Sequence, residues 1–321
     1  MSTRADPLAA PDLRPDRLHY ATGELLDRDD FLAEQLYHRG RLSRTLLYLH
    51  GTGTAAGLRV HVEGAAEDPA GEERVRVEPG LAIDRLGRLV ELQRSACLRL
   101  GRWLENLART RQDDLSAARF AAGQGPVTTQ SPADDDIPQA RRPGDDLLAP
   151  PAPPAAGEWK AWSGYVVADA FVRFTACERG KTPAFATGPY DALDAVQPSR
   201  VRDAYELELR LRTETPDPPL PDDPWASVGG AGADARARAA GRQVLDAGWR
   251  DAAPTWNERG ELDRLPEHGV GQDPTSVFLA RLFIPLLPNG RERDPARRVL
   301  VNNHLRRFAF PGPALAWLAR G

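Results

Sequence analysis

The chain has 321 residues, of which 41% are hydrophobic and 27% are charged, and its formal net charge is −4. This length allows one large domain or two ordinary ones. The negative net charge argues against a general nucleic-acid-binding protein, and the absence of any apolar run of about 18 residues predicts no membrane span.

The N-terminal region predicts an arm rather than a targeting signal. Its first residues lack the apolar segment of a secretory signal peptide, so we expect a cytoplasmic protein. Residues 1–17 carry prolines and scattered charges, which predicts a flexible arm before the first regular element.

A long helix is predicted from Asp27 to His50. Asp27 is a suitable N-cap, and Asp30 places a negative charge in the first turn, where it favours the helix dipole. Apolar residues recur with helical spacing, which predicts an amphipathic helix that packs on the β-unit following it. The predicted stripe consists of Phe31, Gln35, His38, Leu42, Leu46 and Leu49, widened by Leu32, Leu36 and Leu47.

Three glycines follow the helix in the stretch LHGTGTAAGL, at positions 51, 53 and 57. Their spacing is close to the G-x-G-x-x-G of dinucleotide-binding loops, but such a loop follows a strand and opens a helix. Here a helix runs into the glycines, and the alternating segment GLRVHVEG, a predicted strand, leaves them. Gly51 suits a helix C-cap, and the negative helix end would repel phosphate. We therefore interpret the stretch as a helix-to-strand turn.

Short strands and a hairpin are predicted next. The segment ERVRVEPG alternates charged and apolar residues, and Asp84 to Gly87 separate two further apolar runs as a hairpin turn. Asp84 as a catalytic carboxylate is the alternative, but no partner acid, histidine or nucleophile stands at motif spacing. Because Asp commonly closes turns through bonds to the backbone, we interpret it as structural. Residues 101–120 predict a short helical segment.

A segment rich in Pro and Asp divides the chain. Between residues 123 and 157 large apolar side chains are nearly absent, which is typical of a linker or a disordered insertion. The predicted organisation is a flexible arm at 1–17, a helix plus β-hairpin unit at 18–110, a linker or insertion at 111–157, and a β-rich second unit at 158–321 with a helical insertion around 215–270.

The second unit is predicted to consist mainly of strands. Strands are indicated over 159–177, over 199–211 with Tyr205 on its apolar face, and over 276–284, followed by a Pro-Asn-Gly turn and a returning strand. The segment from Thr175 to Thr182 ends in the Gly-Lys-Thr of a P-loop. Thr175 replaces the first glycine of that motif, so we interpret the segment as a loop after a strand.

No assembled catalytic motif is recognisable. The sequence contains no G-x-S-x-G, H-E-x-x-H or EF-hand loop, and Cys97 and Cys177 form no C-x-x-C, which excludes a zinc ribbon or a thioredoxin-like site. Glu34 and His38 are only a partial metal-binding pair. A carboxylate pair for glycoside hydrolysis remains open, because such acids can come from anywhere in a chain. We expect no metal and no cofactor.

Several sequence blocks occur in a fixed order: YATGELLDRDDFLAEQLYH, LHGTGTAAGL and VEPGLAIDRLGR in the first half, and ACE and PSRVRDAYEL in the second. They resemble a family of uncharacterised proteins encoded in gene clusters for phage-tail-like contractile injection systems. The resemblance covers residues 18–100 and 160–212, with weaker agreement over 275–310. Its motif residues are Tyr20, Gly23, Asp27, Phe31, Gln35, His38, His50, Gly51, Gly53, Gly57, Pro79, Gly80, Asp84, Gly87, Arg88, Ser199, Arg200, Arg202 and Tyr205.

The resemblance implies a structural or accessory component of a tail or baseplate, not an enzyme. Its partners would be other particle subunits, with a homo-oligomer as a further option, in a cytoplasmic particle that is later released. The alternatives are a glycan- or effector-binding module of such a particle, or a hydrolase. The patterns together predict an α+β fold that is β-rich, with one long N-terminal amphipathic helix, antiparallel strands and hairpins, and two disordered or irregular insertions.

Overall fold

A computed structural model describes residues 16–64, 72–121, 163–183, 196–214, 218–221 and 254–309. The helices in these ranges are α1 (Arg28–His50), α2 (Leu100–Thr110) and α3 (Gln112–Ala117). The strands are β1 (Gly53–Gly57), β2 (Val60–Glu63), β3 (Arg74–Val77), β4 (Gly80–Ile83), β5 (Leu89–Leu92), β6 (Ala96–Arg99), β7 (Arg119–Ala121), β8 (Gly164–Arg179), β9 (Thr182–Pro183), β10 (Val196–Gln197), β11 (Arg200–Leu211), β12 (Val277–Pro285) and β13 (Leu300–Asn302).

Helix α1 begins and ends where the sequence predicts. The Asp27 carboxylate accepts hydrogen bonds from the amides of Asp29 at 2.8 Å and Asp30 at 3.1 Å, and the Asp30 carboxylate accepts one from the Asp27 amide at 2.9 Å. This reciprocal capping box satisfies amides that no helical carbonyl can reach. At the other end Gly51 adopts a φ of 71° and its amide donates to the Leu47 carbonyl. The predicted N-cap and C-cap are both confirmed.

The largest sheet is antiparallel and has β8 at its centre. Strands follow the order β11-β8-β12-β13, and β7 pairs with residues 164–166 of β8. Strand β12 is buried along its whole length, because neighbouring strands flank it and both of its faces are covered. The strands predicted over 199–211 and 276–284 are confirmed, as is the returning strand, which is β13.

Two smaller antiparallel sheets contain the strands of the first half. One has the order β1-β4-β5 and the other β2-β3-β6. The chain passes from the first to the second between Gly57 and Val60 and returns between Val77 and Gly80, so the two crossings lie side by side. The hairpin predicted around Asp84 connects β4 to β5.

One large hydrophobic cluster joins these sheets. Its side chains come from both predicted units, and the Trp103 indole of α2 donates a hydrogen bond to the Leu209 carbonyl of β11 at 2.7 Å. Fully buried members include Leu58, Val60, Leu100, Val166, Val172, Leu279, Leu282 and Ile284. The two halves therefore share a core.

The fold is mostly β rather than a clear α+β fold, which corrects the predicted class. The long helix that suggested α+β contributes only Leu47 to the buried apolar residues, whereas strands supply most of the cluster. The antiparallel strands and hairpins of the prediction are confirmed. Part of the predicted linker forms α3 and β7, and 122–162 lies outside the described residues. The helix predicted within 215–270 falls largely on 222–253, which also lies outside them.

Candidate functional site

The glycine stretch 51–57 connects α1 to the first sheet and does not have the order of a phosphate-binding loop. The helix enters through its carboxyl end, and β1 starts at Gly53. Gly53 has a φ of 134°, and the Thr54 amide donates to the Arg307 carbonyl at 2.9 Å. A β-carbon on Gly53 would overlap that carbonyl. The predicted change from helix to strand is confirmed, but the first strand lies within the glycine stretch and not after it, and the predicted strand over 57–64 is β2.

Two further motif glycines allow the backbones to cross between the two small sheets. Gly57 has a φ of 60°, and a β-carbon there would overlap the Pro79 carbonyl oxygen. A β-carbon on Gly80 would overlap the Ala56 carbonyl oxygen and the Leu58 amide. Only glycine permits this approach, which gives Gly57, Pro79 and Gly80 a shared structural role.

The Asp84–Arg88 turn is a buried polar unit. Asp84 accepts hydrogen bonds from the amides of Leu86 and Arg88, both at 2.9 Å, and from the Arg88 Nε at 2.7 Å. Burial raises the pKa of Asp84, and the Arg88 guanidinium acts in the opposite direction. Gly87 packs so tightly on the Ser43 carbonyl of α1 that a β-carbon would overlap it. Asp84 thus closes the turn, as predicted, and the turn packs against α1.

The segment 303–309 fastens the two small sheets together. The Asn303 side chain accepts from the Val60 amide at 2.9 Å and donates to the Val60 carbonyl at 3.0 Å. Arg306 donates to the Leu58 carbonyl at 2.8 Å and to the Asn303 carbonyl at 2.8 Å. Both side chains are buried. Nothing in the local sequence signals this role, because the partners lie more than two hundred residues earlier in the chain.

The motif residues of the second half lie along β8 and β11. Arg200 and Arg202 are exposed and stand opposite Arg179 and Cys177 in the register, and the Ser199 hydroxyl lies 3.5 Å from the Arg179 carbonyl oxygen. Tyr205 is half-buried against the core. Ser199, Arg200 and Arg202 therefore lie at one end of the β8–β11 pair, and Tyr205 lies nearer its middle.

The P-loop-like segment is the end of a strand. Residues from Thr175 to Arg179 belong to β8, Gly180 turns the chain with a φ of 69°, and β9 begins at Thr182. In the described part of this segment a strand and not a helix follows Lys181, whereas a P-loop binds phosphate at the N-terminus of the helix that it opens. The predicted loop after a strand is confirmed.

The predicted apolar stripe of α1 is not the face that packs on the β-unit. The buried positions of the helix are Gly40, Ser43 and Leu47, whereas Phe31 is 51% exposed, Leu42 56% and Leu49 69%. Leu42 and Ser43 are neighbours in sequence and therefore point about 100° apart around the helix. The prediction that α1 packs on the β-unit is confirmed, and Leu47, which widens the stripe, is buried there. The centre of the stripe is not buried, because the small residues Gly40 and Ser43 let the Gly87 turn approach more closely on the neighbouring face.

The other motif residues near α1 are exposed. Tyr20 is 51% exposed, and a hydrogen bond to Glu34 is the main reason that its pKa is raised. Gly23 adopts a φ of 88° in a turn before the helix. Gln35 and His50 are exposed, and His38 Nε2 lies 3.9 Å from a Glu34 oxygen. Among the described residues no group of three or more His, Cys, Asp or Glu side chains could hold a metal ion.

Sequence patterns did not indicate the buried ionic cluster at the centre of the large sheet. Asp169 of β8 is fully buried and pairs with Arg281 of β12 through two contacts of 2.8 Å. Arg212 Nε lies 3.5 Å from the same carboxylate and 3.3 Å from Glu214. The signal that could have revealed it is a single charge inside each of two apolar runs, VVADAFV and VFLARLFI.

A cavity with a polar wall lies where the glycine stretch, the Asp84 turn and segment 303–309 meet. Its enclosed volume is about 20 Å³, which is room for about one water molecule. Arg85, Glu267, Ser276 and Arg307 provide polar groups, Thr52 and Gly53 belong to the glycine stretch, and the remaining lining is Pro221, Leu265, Val277 and Phe278. Two of the blocks that carry the family resemblance therefore border the same cavity.

His268 stands behind this cavity as a neutral, fully hydrogen-bonded side chain. Its Nδ1 accepts from the Leu265 amide at 3.2 Å, so Nε2 carries the proton and donates to the Ser276 carbonyl at 2.8 Å. Burial is the main reason that its pKa falls to about 4, and the charges of Arg85 and Arg307 lower it further. Both nitrogens are occupied, which gives His268 a structural role.

Comparisons with known proteins do not assign a family. No protein-family model matches the chain, and a search of curated proteins found none similar to it. Of the helices in the described ranges, none is both long and apolar enough to cross a membrane.

Proposed function

We propose that the protein is a non-enzymatic structural or accessory component of a phage-tail-like contractile injection system, associated with the tail or baseplate. The resemblance of residues 18–100 and 160–212 supports the class of particle. The observation that carries a role in protein–protein contact is the exposed apolar stripe of α1.

The stripe has the size of a subunit contact. Phe31 and Leu49 are 18 positions apart, which corresponds to about 27 Å along a helix. Phe31, Leu42 and Leu49 all expose at least half of their surface, and the face that α1 turns to its own core is a different one. Phe31, Leu42 and Leu49 are spaced along one face of α1 with polar residues between the first two, so this face suits a helix–helix contact with apolar positions at intervals.

The spacing of the stripe favours a helix as the partner element. The stripe positions 31, 35, 38, 42, 46 and 49 are separated by steps of four, three, four, four and three, which keeps them on one face of the helix, here called the seam. The polar residues Gln35 and His38 lie in this seam between Phe31 and Leu42, and polar residues in a helix–helix contact set register at a cost in stability. We therefore expect an amphipathic helix of a neighbouring subunit to pack along α1.

Co-purification with particle proteins tests this function. Wild type and the double variant Leu42→Lys/Leu49→Lys are co-expressed with the sheath, tube and baseplate proteins of a contractile injection cluster. Both positions are exposed, so the variant should fold, and charges in the seam should abolish association. Val270→Lys is the matched control, because Val270 is 84% exposed and lies far from α1 in sequence. Equal recovery of wild type and the double variant would contradict the proposal.

A further inference from the structure

Charge is distributed unevenly along α1. Residues 27–38 contain four acids and one arginine, a formal charge of −3, whereas residues 39–50 contain three arginines and no acid, a formal charge of +3. The dipole of the helix itself favours acids at its start and bases at its end only within the first and last turns. Arg39, Arg41 and Arg44 precede the last turn, so the dipole does not account for them.

Charges of both signs lie along the same edge of the seam. Asp30, Glu34 and Arg41 each directly precede a seam residue, so all three project to the same side of it. Glu34 and Arg41 are seven positions apart, about 10 Å along the helix. They do not pair within one copy: the Arg41 guanidinium lies over the Tyr37 ring at 5.4 Å, and no carboxylate of the described residues is within 4 Å of it.

We propose that α1 packs in antiparallel orientation against α1 of a second copy of this chain. The inference rests on the seam contact of the proposed function and names the subunit that covers the seam. Antiparallel packing places the negative half of each helix beside the positive half of the other, whereas parallel packing would align like charges. Because a two-fold contact is self-complementary, the Glu34–Arg41 contact between the copies forms twice.

One register satisfies the charges and the apolar positions together. When Glu34 of each copy faces Arg41 of the other, Phe31 of each copy lies between Leu42 and Leu46 of the other. The polar part of the seam then lies at the two-fold axis, in the middle of the contact. A polar layer there fixes the register at a cost in stability, and the apolar positions on both sides supply the buried area.

The mass of the purified chain tests the contact first. A contact between two helices lies at the small end of protein interfaces, so we expect wild type to change from monomer to dimer between about 1 and 200 µM in sedimentation equilibrium. The seam variant Leu42→Lys/Leu49→Lys should remain monomeric over this range, and the exposed control Val270→Lys should dimerise like wild type. Circular dichroism and thermal unfolding check that each variant is folded.

Charge reversal tests the orientation. Glu34→Arg and Arg41→Glu each place like charges opposite one another in an antiparallel pair, so each should weaken self-association by at least about tenfold. A mixture of the two variants restores both attractions, because the introduced arginine of one copy faces the introduced glutamate of the other. The mixture should therefore form a heterodimer with an affinity within about threefold of wild type. Arg291→Glu, at an exposed arginine away from α1 in sequence, should self-associate like wild type.

The outcomes separate this inference from the proposed function. A chain that is monomeric alone, but needs the seam for recovery with particle proteins, would place a helix of another subunit in the seam and overturn the inference only. Dimers that persist in Leu42→Lys/Leu49→Lys, or a mixture that associates no more tightly than the single variants, overturn it as well. A seam-dependent dimer that is not recovered with sheath, tube or baseplate proteins supports the inference and contradicts the proposed function.

Discussion

Arg281 and Asp169 face each other on the adjacent strands β12 and β8, and both side chains are completely buried. The guanidinium donates from Nε and Nη2 to the two carboxylate oxygens, each at 2.8 Å. Its remaining capacity goes to the carbonyls of Pro218 at 2.9 Å and Pro219 at 3.0 Å. One arginine therefore fixes the register of two strands and holds segment 218–221 against the sheet.

Asp169→Ala should destabilise the protein by about 3–5 kcal/mol, because it leaves Arg281 buried without a counter-charge. The double variant Asp169→Leu/Arg281→Met should recover part of this loss, since it removes the buried charge of Arg281. Recovery is incomplete because the buried Arg212, 3.5 Å from Asp169, keeps only Glu214 as a counter-charge. The free energy of unfolding from urea denaturation checks both. Glu206→Gln, in the more exposed Arg173–Glu206 pair, should cost less than about 1 kcal/mol. Equal losses in the free energy of unfolding for Asp169→Ala and Glu206→Gln would refute the claim that the buried pair matters more for stability than the exposed one.

Gly57→Ala should destabilise the protein by more than about 2 kcal/mol. A left-handed backbone costs an alanine about 1–2 kcal/mol, and its β-carbon would also overlap the Pro79 carbonyl. Gly101→Ala provides the contrast, because Gly101 lies in α2 with nothing near its added methyl group. There alanine should be neutral or stabilising by up to about 1 kcal/mol. Thermal unfolding compares the two variants. If Gly57→Ala were as stable as Gly101→Ala, the close approach of the two backbones at Gly57 would be disproved.

Asp27→Ala should fray the first turn of α1. Losing an N-cap costs about 1 kcal/mol, and here the two amides bound by Asp27 would lose their acceptor. Hydrogen exchange should show faster exchange at Asp29 and Asp30 with little change in the large sheet. Asp27→Asn keeps a capping oxygen and should retain most of the protection. Unchanged exchange in Asp27→Ala would show that the cap is dispensable.

His268 should make the protein less stable as the pH falls from about 6.5 to about 4. Its pKa is lowered from 6.5 to about 4 in the folded protein, so the unfolded chain binds more protons within this window. The free energy of unfolding is therefore highest above pH 6.5 and falls by up to about 3 kcal/mol as the pH is lowered to about 4. His268→Gln should remove this part of the pH dependence. Urea denaturation at several pH values checks it, and parallel stability curves for both proteins would exclude His268 as the source.

Sequence patterns predicted local structure correctly where it depends on contacts between residues close together in the chain. Asp27 and Gly51 bound α1 because capping involves residues within one turn of each helix end. Asp84 closes its hairpin through amides two and four positions away. The reversed order of helix and strand around Gly53 was also sufficient to exclude a dinucleotide-binding loop, since chain direction is a property of the sequence itself.

The sequence did not decide which face of α1 meets the core. Its periodicity favoured the stripe of Phe31, Leu42 and Leu49, because burial of apolar area is the usual reason for such spacing. The structure instead packs Gly40 and Ser43 against the Gly87 turn. A close approach of two backbones needs small residues on both sides, and hydrophobic spacing carries no information about where another part of the chain comes close.

The sequence by itself determined the bounds of α1, the change from helix to strand near Gly51 and most strands, because these depend on dihedral preferences and hydrogen bonds among near neighbours. It did not separate α2, α3 and β7 within residues 101–120. Only the tertiary structure decided that Asp169 meets Arg281, 112 positions later, and that Arg85 and Arg307 border one cavity. Pairing of distant charges depends on strand register and on the order of strands in the sheet. Both are fixed by how the whole core closes.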